Sequence, residues 1–186
     1  MIIDLAPAAA RMSQLLTEVR DDQLSNPTPC EDYRLSDLIE HIEGLAMAFR
    51  AAAEKEPLRL TPADRQALDD GWRDRIGDRL DQLVTAWRDP AAWEGRTEAG
   101  GVELTGSEAG AVALNELVIH GWDVARSIER PYEPDEMSLA VSEQFVTASA
   151  ADPVPGLFAK PVPVAEDAPL LDRVVGLAGR DPHWRP

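Results

Sequence analysis

Apolar residues recur every three or four positions along most of this chain, and that period predicts helices rather than strands. Leu5, Ala8, Met12, Leu15, Leu16 and Val19 form the first stripe. Asp4 is placed to cap that helix, Pro7 fits its opening turn, and it should close near Asp21 or Asp22. Two prolines within three residues then make Asn26 to Tyr33 a loop. Ser36 is placed to cap a second helix, whose face is Leu38, Ile42, Leu45 and Phe49, with Ile39, Ala46 and Ala53 beside it. Pro57 ends this helix, and Thr61 with Pro62 opens a third over Ala63 to Arg88. Its stripe is Leu68, Trp72, Ile76, Leu80, Leu83, Val84 and Trp87, weakened at Gly71 and Gly77, where a kink is expected.

Asp89-Pro90 stops the third helix, and Trp93 to Gly106, with four glycines, reads as a long connection that has room for a small hairpin. A long crossover after the third helix would let helices three and four run parallel. Thr105 or Ser107 caps the fourth helix, which runs to about Glu129 before Pro131. A fifth, weakly amphipathic helix spans about Glu136 to Ala150 through Leu139, Val141, Phe145 and Val146. The proline-rich Pro153 to Val164 reads as extended chain, and Ala168 to Leu177 as a last short helix. The chain is thus expected to be all-α, with residues 1–150 as a helical bundle and residues 151–186 as an extension packed on it.

The fourth helix carries the chemistry. From Ala111 to Ile119 it is apolar on nearly every side, so it belongs in the interior. Glu116 and His120 interrupt it one turn apart, on one face. A buried carboxylate is costly unless paired or bound to a metal. An imidazole and a carboxylate four residues apart can reach one divalent ion, and His41, beside the apolar face of the second helix, is the third donor available. The same spacing also describes an ordinary surface pair or a satisfied buried hydrogen bond. Asp123, three residues beyond His120, is placed to orient that ring, or simply to solvate a helix end. Asn115 and Trp122 point away from the pair and read as packing. Cys30 reads as a small buried packing residue and His183 as a surface group.

Charge narrows the partners. With 18 basic against 34 acidic residues the formal net charge is -16, which argues against nucleic acid and anionic membranes. Hydrophobic content of 44% with 28% charged residues describes a soluble globule, and a single cysteine excludes an internal disulfide. No signal peptide or membrane-length apolar run is visible, so the chain reads as cytoplasmic. No phosphate-cradling glycine motif, nucleophile elbow or CxxC pair occurs.

Three segments taken together resemble the mycothiol-dependent maleylpyruvate isomerase-like family, within the DinB/YfiT-like superfamily. They are Pro27-Thr-Pro-Cys-Glu-Asp-Tyr33, Leu35-Ser-Asp-Leu-Ile-Glu-His41 and Glu116-Leu-Val-Ile-His-Gly-Trp-Asp-Val-Ala125. The close of the chain, with Phe158-Ala-Lys-Pro-Val-Pro-Val, Leu171-Asp-Arg and Gly179-Arg-Asp-Pro182, resembles one metal-binding branch of it. The resemblance implies a four-helix bundle with a long crossover connection and a short C-terminal extension. It implies a metal held by His41, Glu116 and His120, most simply zinc with nickel as the alternative, and mycothiol as a cosubstrate. It also implies a homodimer. The activity it implies is a thiol-dependent transferase or isomerase acting on a small molecule. A hydrolase using a metal-bound water and a metal-stabilised binding module without catalysis are the alternatives. Residues 151–186 are too few for the separate C-terminal domain of the isomerase itself, so the resemblance does not carry maleylpyruvate over as the substrate. Arg173 or Arg180 could hold an anionic group, although salt bridging suits them better.

Overall fold

The computed structural model describes residues 2–30, 33–56, 58, 68–151 and 160–186. Its helices are α1 (Ala6–Glu18), α2 (Leu35–Glu54), α3 (Trp72–Trp87), α4 (Gly106–Ser127), α5 (Glu136–Ala151) and α6 (Leu170–Leu177). Short 3-10 turns at Asp21–Gln23 and Pro90–Trp93 and a two-stranded hairpin, β1 (Arg96–Ala99) and β2 (Val102–Thr105), join them. The stripes expected from the sequence are the core: Met12, Leu15, Leu38, Ile39, Ile76, Leu80, Leu114 and Val118 are essentially inaccessible to solvent. The all-α bundle architecture is as the pattern predicts.

Helix ends follow local chemistry. The Asp4 carboxylate accepts from the Ala6 amide, and α1 stops three residues sooner than Asp21 because the chain turns extended at Val19. Ser36 is not the cap of α2. That helix already includes Leu35, and Asp37 reaches back to the Arg34 amide at 2.9 Å, so the acidic residue satisfies the end where a serine was expected to. Thr105 caps α4, accepting from the Glu108 amide while Glu108 accepts from the Thr105 amide, a reciprocal pair that settles the choice against Ser107. The expected start of the third helix at Thr61-Pro62 and most of the extended Pro153 to Val164 tail lie outside the described residues.

In the bundle α1 packs on α3 and α4, and α2 packs on the same two helices. Helices α1 and α2 therefore face each other across one diagonal, and α3 and α4 across the other. Arg75 pairs with Glu43 and Arg50 with Gln82 at one constant offset, so α2 and α3 run parallel. Where they finish, Lys55 Nζ donates to the Ala92 carbonyl and the Thr97 hydroxyl to the Ala52 carbonyl, beside the start of α4. At the other end Asn26 Nδ2 donates to the Ser127 carbonyl at the close of α4. Helix α4 thus runs against α2 and α3. Parallel third and fourth helices are not what forms. The hairpin returns the chain at the end where α3 stops, turning at Gly100 and Gly101, both at positive φ (59° and 81°), as a tight two-residue hairpin requires. The parallel neighbours are instead α2 and α3.

Helix α5 lies on α4, and α6 lies on α5. Among the described residues, no helix is long and apolar enough to cross a membrane.

Candidate metal centre

Helix α4 can sit at the middle of the bundle because its first turns carry no bulk. A Cβ on Gly106 would lie 2.3 Å from the Ala92 carbonyl oxygen, and one on Gly110 2.4 Å from the Trp93 ring. This close seating buries Leu114, Val118 and Val124 completely, and it carries His120 and Asp123 inside with them. One turn apart on the same face, Glu116 Oε2 and His120 Nε2 are 3.0 Å from each other.

The third group arrives from α2. Its start is fixed by the preceding loop, where Thr28 Oγ1 donates to the Cys30 and Tyr33 carbonyls and the Leu35 amide donates to the Asn26 carbonyl. That loop sets the Tyr33 ring 5.2 Å from the His41 ring. His41 in turn meets His120 edge to face, with centroids 5.0 Å apart and planes at 89°. One ligand atom each from His41, Glu116 and His120 lie within 4.8 Å of one another.

Behind this trio stands a second layer. His120 Nδ1 is 2.9 Å from Asp123 Oδ2, and Asp123 is fully buried. Arg180 Nη2 donates to the same oxygen at 3.0 Å, its Nε approaches Oδ1 at 3.4 Å, and Nη1 donates to the Ala178 carbonyl. Gly179, at φ 82°, turns the chain out of α6 so that Arg180 points inward. Ser127 Oγ donates to the Asp123 main-chain carbonyl.

The electrostatics follow from this crowding. Burial opposes a charge on His120, but the bonds to Asp123 and Glu116 outweigh it and raise the ring to about 9. Burial and the neighbouring His120 both lower His41. Burial pushes Glu116 up, yet its bond to His120 and the nearby positive charges hold it below the usual carboxylate range. Asp123 is held low in the same way, by Arg180 and His120 against the cost of burial. The two carboxylates thus favour a proton on His120, while burial and that neighbour disfavour one on His41.

The positions named from the sequence are accordingly brought together: His41, Glu116 and His120 in one cluster, with Asp123 on the His120 ring. Arg180 was legible as a salt-bridging residue, but not as the partner of Asp123. Arg173 pairs with Glu143 at 2.9 Å and has no part in the cluster. Trp122 is buried packing with Arg126 over its ring. Asn115 is also buried, and its amide has no hydrogen-bond partner among the described residues. His183 is exposed, and Cys30 is half-buried rather than buried.

The family model of the mycothiol maleylpyruvate isomerase N-terminal domain matches residues 5–125. The chain belongs to that family. Within the mycothiol maleylpyruvate isomerase family it is similar to uncharacterized protein MT0763 and uncharacterized protein Rv0738 of Mycobacterium tuberculosis (strains CDC 1551 / Oshkosh and ATCC 25618 / H37Rv). Each is 30% identical over 183 residues, spanning 89% of this chain and 90% of the relative. The fold is that of mycothiol-dependent maleylpyruvate isomerase. Its crystal structure superposes with a TM-score of 0.61 at 20% identity, over 77% of this chain and 66% of the isomerase. A histidine-to-alanine mutant of the isomerase superposes with a TM-score of 0.63 at 18% identity, over 83% of this chain and 71% of that one.

Proposed function

We propose that His41, Glu116 and His120 hold one divalent cation, zinc in the first place with nickel compatible, and that a small thiol completes the coordination. On this reading the protein is a thiol-dependent isomerase or transferase acting on a small molecule, with mycothiol as the thiol by analogy with the isomerase named above. The observation that carries the proposal is the convergence of two imidazoles and a carboxylate, from two helices, to within 4.8 Å inside an apolar bundle. Bonds of roughly 2.0–2.1 Å to a tetrahedral ion set its donors about 3.3 Å apart, close to the 3.0 Å already between Glu116 and His120. Three protein donors also leave one position free, as catalytic rather than structural zinc sites do.

When bound, the cation would lower the pKa of a thiol brought to it, so that the sulfur reacts as a thiolate near neutral pH. The rest falls to the chain's own residues. Asp123 accepts the Nδ1 proton of His120 and so leaves Nε2 to face the other two donors. Arg180 fixes the Asp123 carboxylate and balances its charge. Tyr33 packs against the His41 ring and helps hold its position. Residues 1–150 would form the metal-holding bundle and residues 151–186 an extension that contributes Arg180 to it.

Dialysis of the purified protein against Co²⁺, followed by addition of a thiol, tests both halves. One bound metal and a new sulfur-to-cobalt charge-transfer band support the proposal. Failure to retain metal overturns the centre, and retained metal without the band overturns the thiol in favour of water-based chemistry.

A further inference from the structure

After α6 the chain closes into a short turn. The Gly179 amide donates to the Gly176 carbonyl and the Arg180 amide to the Val175 carbonyl, while the His183 and Trp184 amides return to Asp181. These local bonds fix the shape of the turn but not its place on the bundle. Two longer ties, both to α4, do that. Arg180 Nη2 reaches inward to Asp123 at 3.0 Å. Arg126 Nη2 reaches the other way, donating to the Trp184 carbonyl at 2.8 Å and to the Pro182 carbonyl at 3.1 Å.

Asp123 and Arg126 are three residues apart on α4 and so share a face. The helix offers an acceptor at one position and a donor about one turn on, and the tail answers with a donor at 180 and acceptors at 182 and 184. Arg126 is half-buried, with its guanidinium over the Trp122 ring, 5.5 Å from the centroid, which limits its freedom. Chain ends fray unless something ties them down. Arg180 is the residue most exposed to that loss, because its long side chain gives up much rotamer freedom to meet a fully buried carboxylate. Arg126 grips the peptide groups just beyond it. Its hydrogen bonds go to the tail, not to His41, Glu116 or His120.

We infer that Arg126 is a positioning residue of the metal centre. By holding the Pro182 and Trp184 carbonyls it keeps Arg180 on Asp123, and so couples docking of the tail to the hold of the cluster on its cation. This deepens the functional proposal above and rests on it for the identity of the centre. The line of contacts runs from the tail carbonyls through Arg126 to α4, and from Arg180 through Asp123 to the His120 ring. A main-chain carbonyl is a suitable handle, since it fixes the path of the backbone whatever side chain follows.

The test titrates full-length variants with Co²⁺, and the visible absorption of the bound ion gives the dissociation constant. Arg126→Met should weaken cobalt about fivefold, less than the roughly 10–100-fold that follows loss of an outer partner itself. Arg126→Lys, which keeps a donor for the carbonyls, should recover part of the loss. Arg173→Met is the control. It cuts the tie of the same extension to Glu143 of α5 but leaves the bonds of residues 180–184 in place, so its cobalt constant should match the wild type. Added to Arg180→Met, Arg126→Met should weaken cobalt no further, because both act through the same contact. A wild-type constant in Arg126→Met, an equal loss in Arg173→Met, or the same loss again on top of Arg180→Met overturns the inference. If the wild type binds no cobalt, the metal proposal fails by itself. The tie is then judged on metal-free protein from the solvent exchange of the Arg180 Nε proton, followed by ¹⁵N NMR. Exchange several times faster in Arg126→Met, with Arg173→Met at the wild-type rate, upholds the tie. Wild-type exchange in Arg126→Met, or equally fast exchange in both, overturns it.

Discussion

Arg180 Nη2 donates to Asp123 Oδ2 across 3.0 Å, tying the end of the chain to the carboxylate that holds the His120 ring. Both side chains are buried, Asp123 fully and Arg180 to within 8% exposure. Removing the guanidinium leaves Asp123 with His120 as its remaining charged partner. Arg180→Met should therefore destabilise the protein by about 3–5 kcal/mol in urea unfolding, because an uncompensated buried charge is costly. Arg180→Lys should recover part of the loss, since an ammonium restores the charge but not the two-point contact. Metal affinity should fall about 10–100-fold in Arg180→Met, the usual cost of losing an outer partner. A change in stability below about 1 kcal/mol would show that the pair is not the structural tie described here.

The three proposed donors make a simpler prediction. His41→Ala and His120→Ala should each reduce zinc retained after dialysis to background, with helical circular dichroism preserved. Glu116→Gln, which keeps shape but removes charge, should weaken binding in the same direction. Wild-type zinc content in both histidine variants would remove the basis for a metal centre at this position.

Proton linkage gives an independent check. In the metal-free protein the pKa of His120 is raised from 6.5 to about 9. A raised folded-state pKa stabilises most fully below pH 6.5, and that contribution, on the order of 3 kcal/mol, fades as pH rises through about 9. A metal must displace the same proton. Near neutral pH each zinc bound should release about one proton, and affinity should rise about tenfold per pH unit until roughly 9. Calorimetry in buffers of different ionisation enthalpy measures the release; none at all would mean that His120 is already neutral.

Gly110 is required by packing. Its missing Cβ would lie 2.4 Å from Trp93 and 2.9 Å from Trp87. Neither ring can yield easily. Trp87 Nε1 donates to the Phe49 carbonyl, Trp93 Nε1 donates to the Trp87 carbonyl, and the two rings meet edge to face with centroids 4.9 Å apart. Gly110→Ala should cost about 1–3 kcal/mol in thermal or urea unfolding despite its better helix propensity. A more stable variant would contradict the packing.

Asn115 should behave in the opposite sense. Its amide nitrogen and oxygen are buried beside Glu116 in sequence and have no hydrogen-bond partner among the described residues. Asn115→Leu, close in shape, removes two unsatisfied groups and should stabilise by about 1–3 kcal/mol. Destabilisation instead would reveal a partner for the amide.

The reach of sequence reasoning is clearest at α4. Its buried character, the one-turn spacing of Glu116 and His120 and the position of Asp123 follow from helical periodicity, which is a local property. His41 was assigned to the same cluster because a second half-apolar helix carried a histidine, and the structure does bring the two rings to 5.0 Å. The cap of α2 went astray because Ser36 and Asp37 are adjacent capping residues, and the geometry of one turn, not composition, decides which is used. The order of helices in the bundle went astray because loop length alone does not say which end a chain returns to.

What the sequence by itself determined is therefore what neighbouring residues decide among themselves: which segments become helices, which faces turn inward, and which polar groups are carried in with them. Tertiary structure alone decided that α3 and α4 lie across a diagonal, that His41 meets His120, and that Arg180 meets Asp123. Those are contacts between residues far apart along the chain. Burial of the apolar stripes drives the helices together without naming partners, and the choice among them rests on shape and charge at surfaces that exist only once the helices have packed.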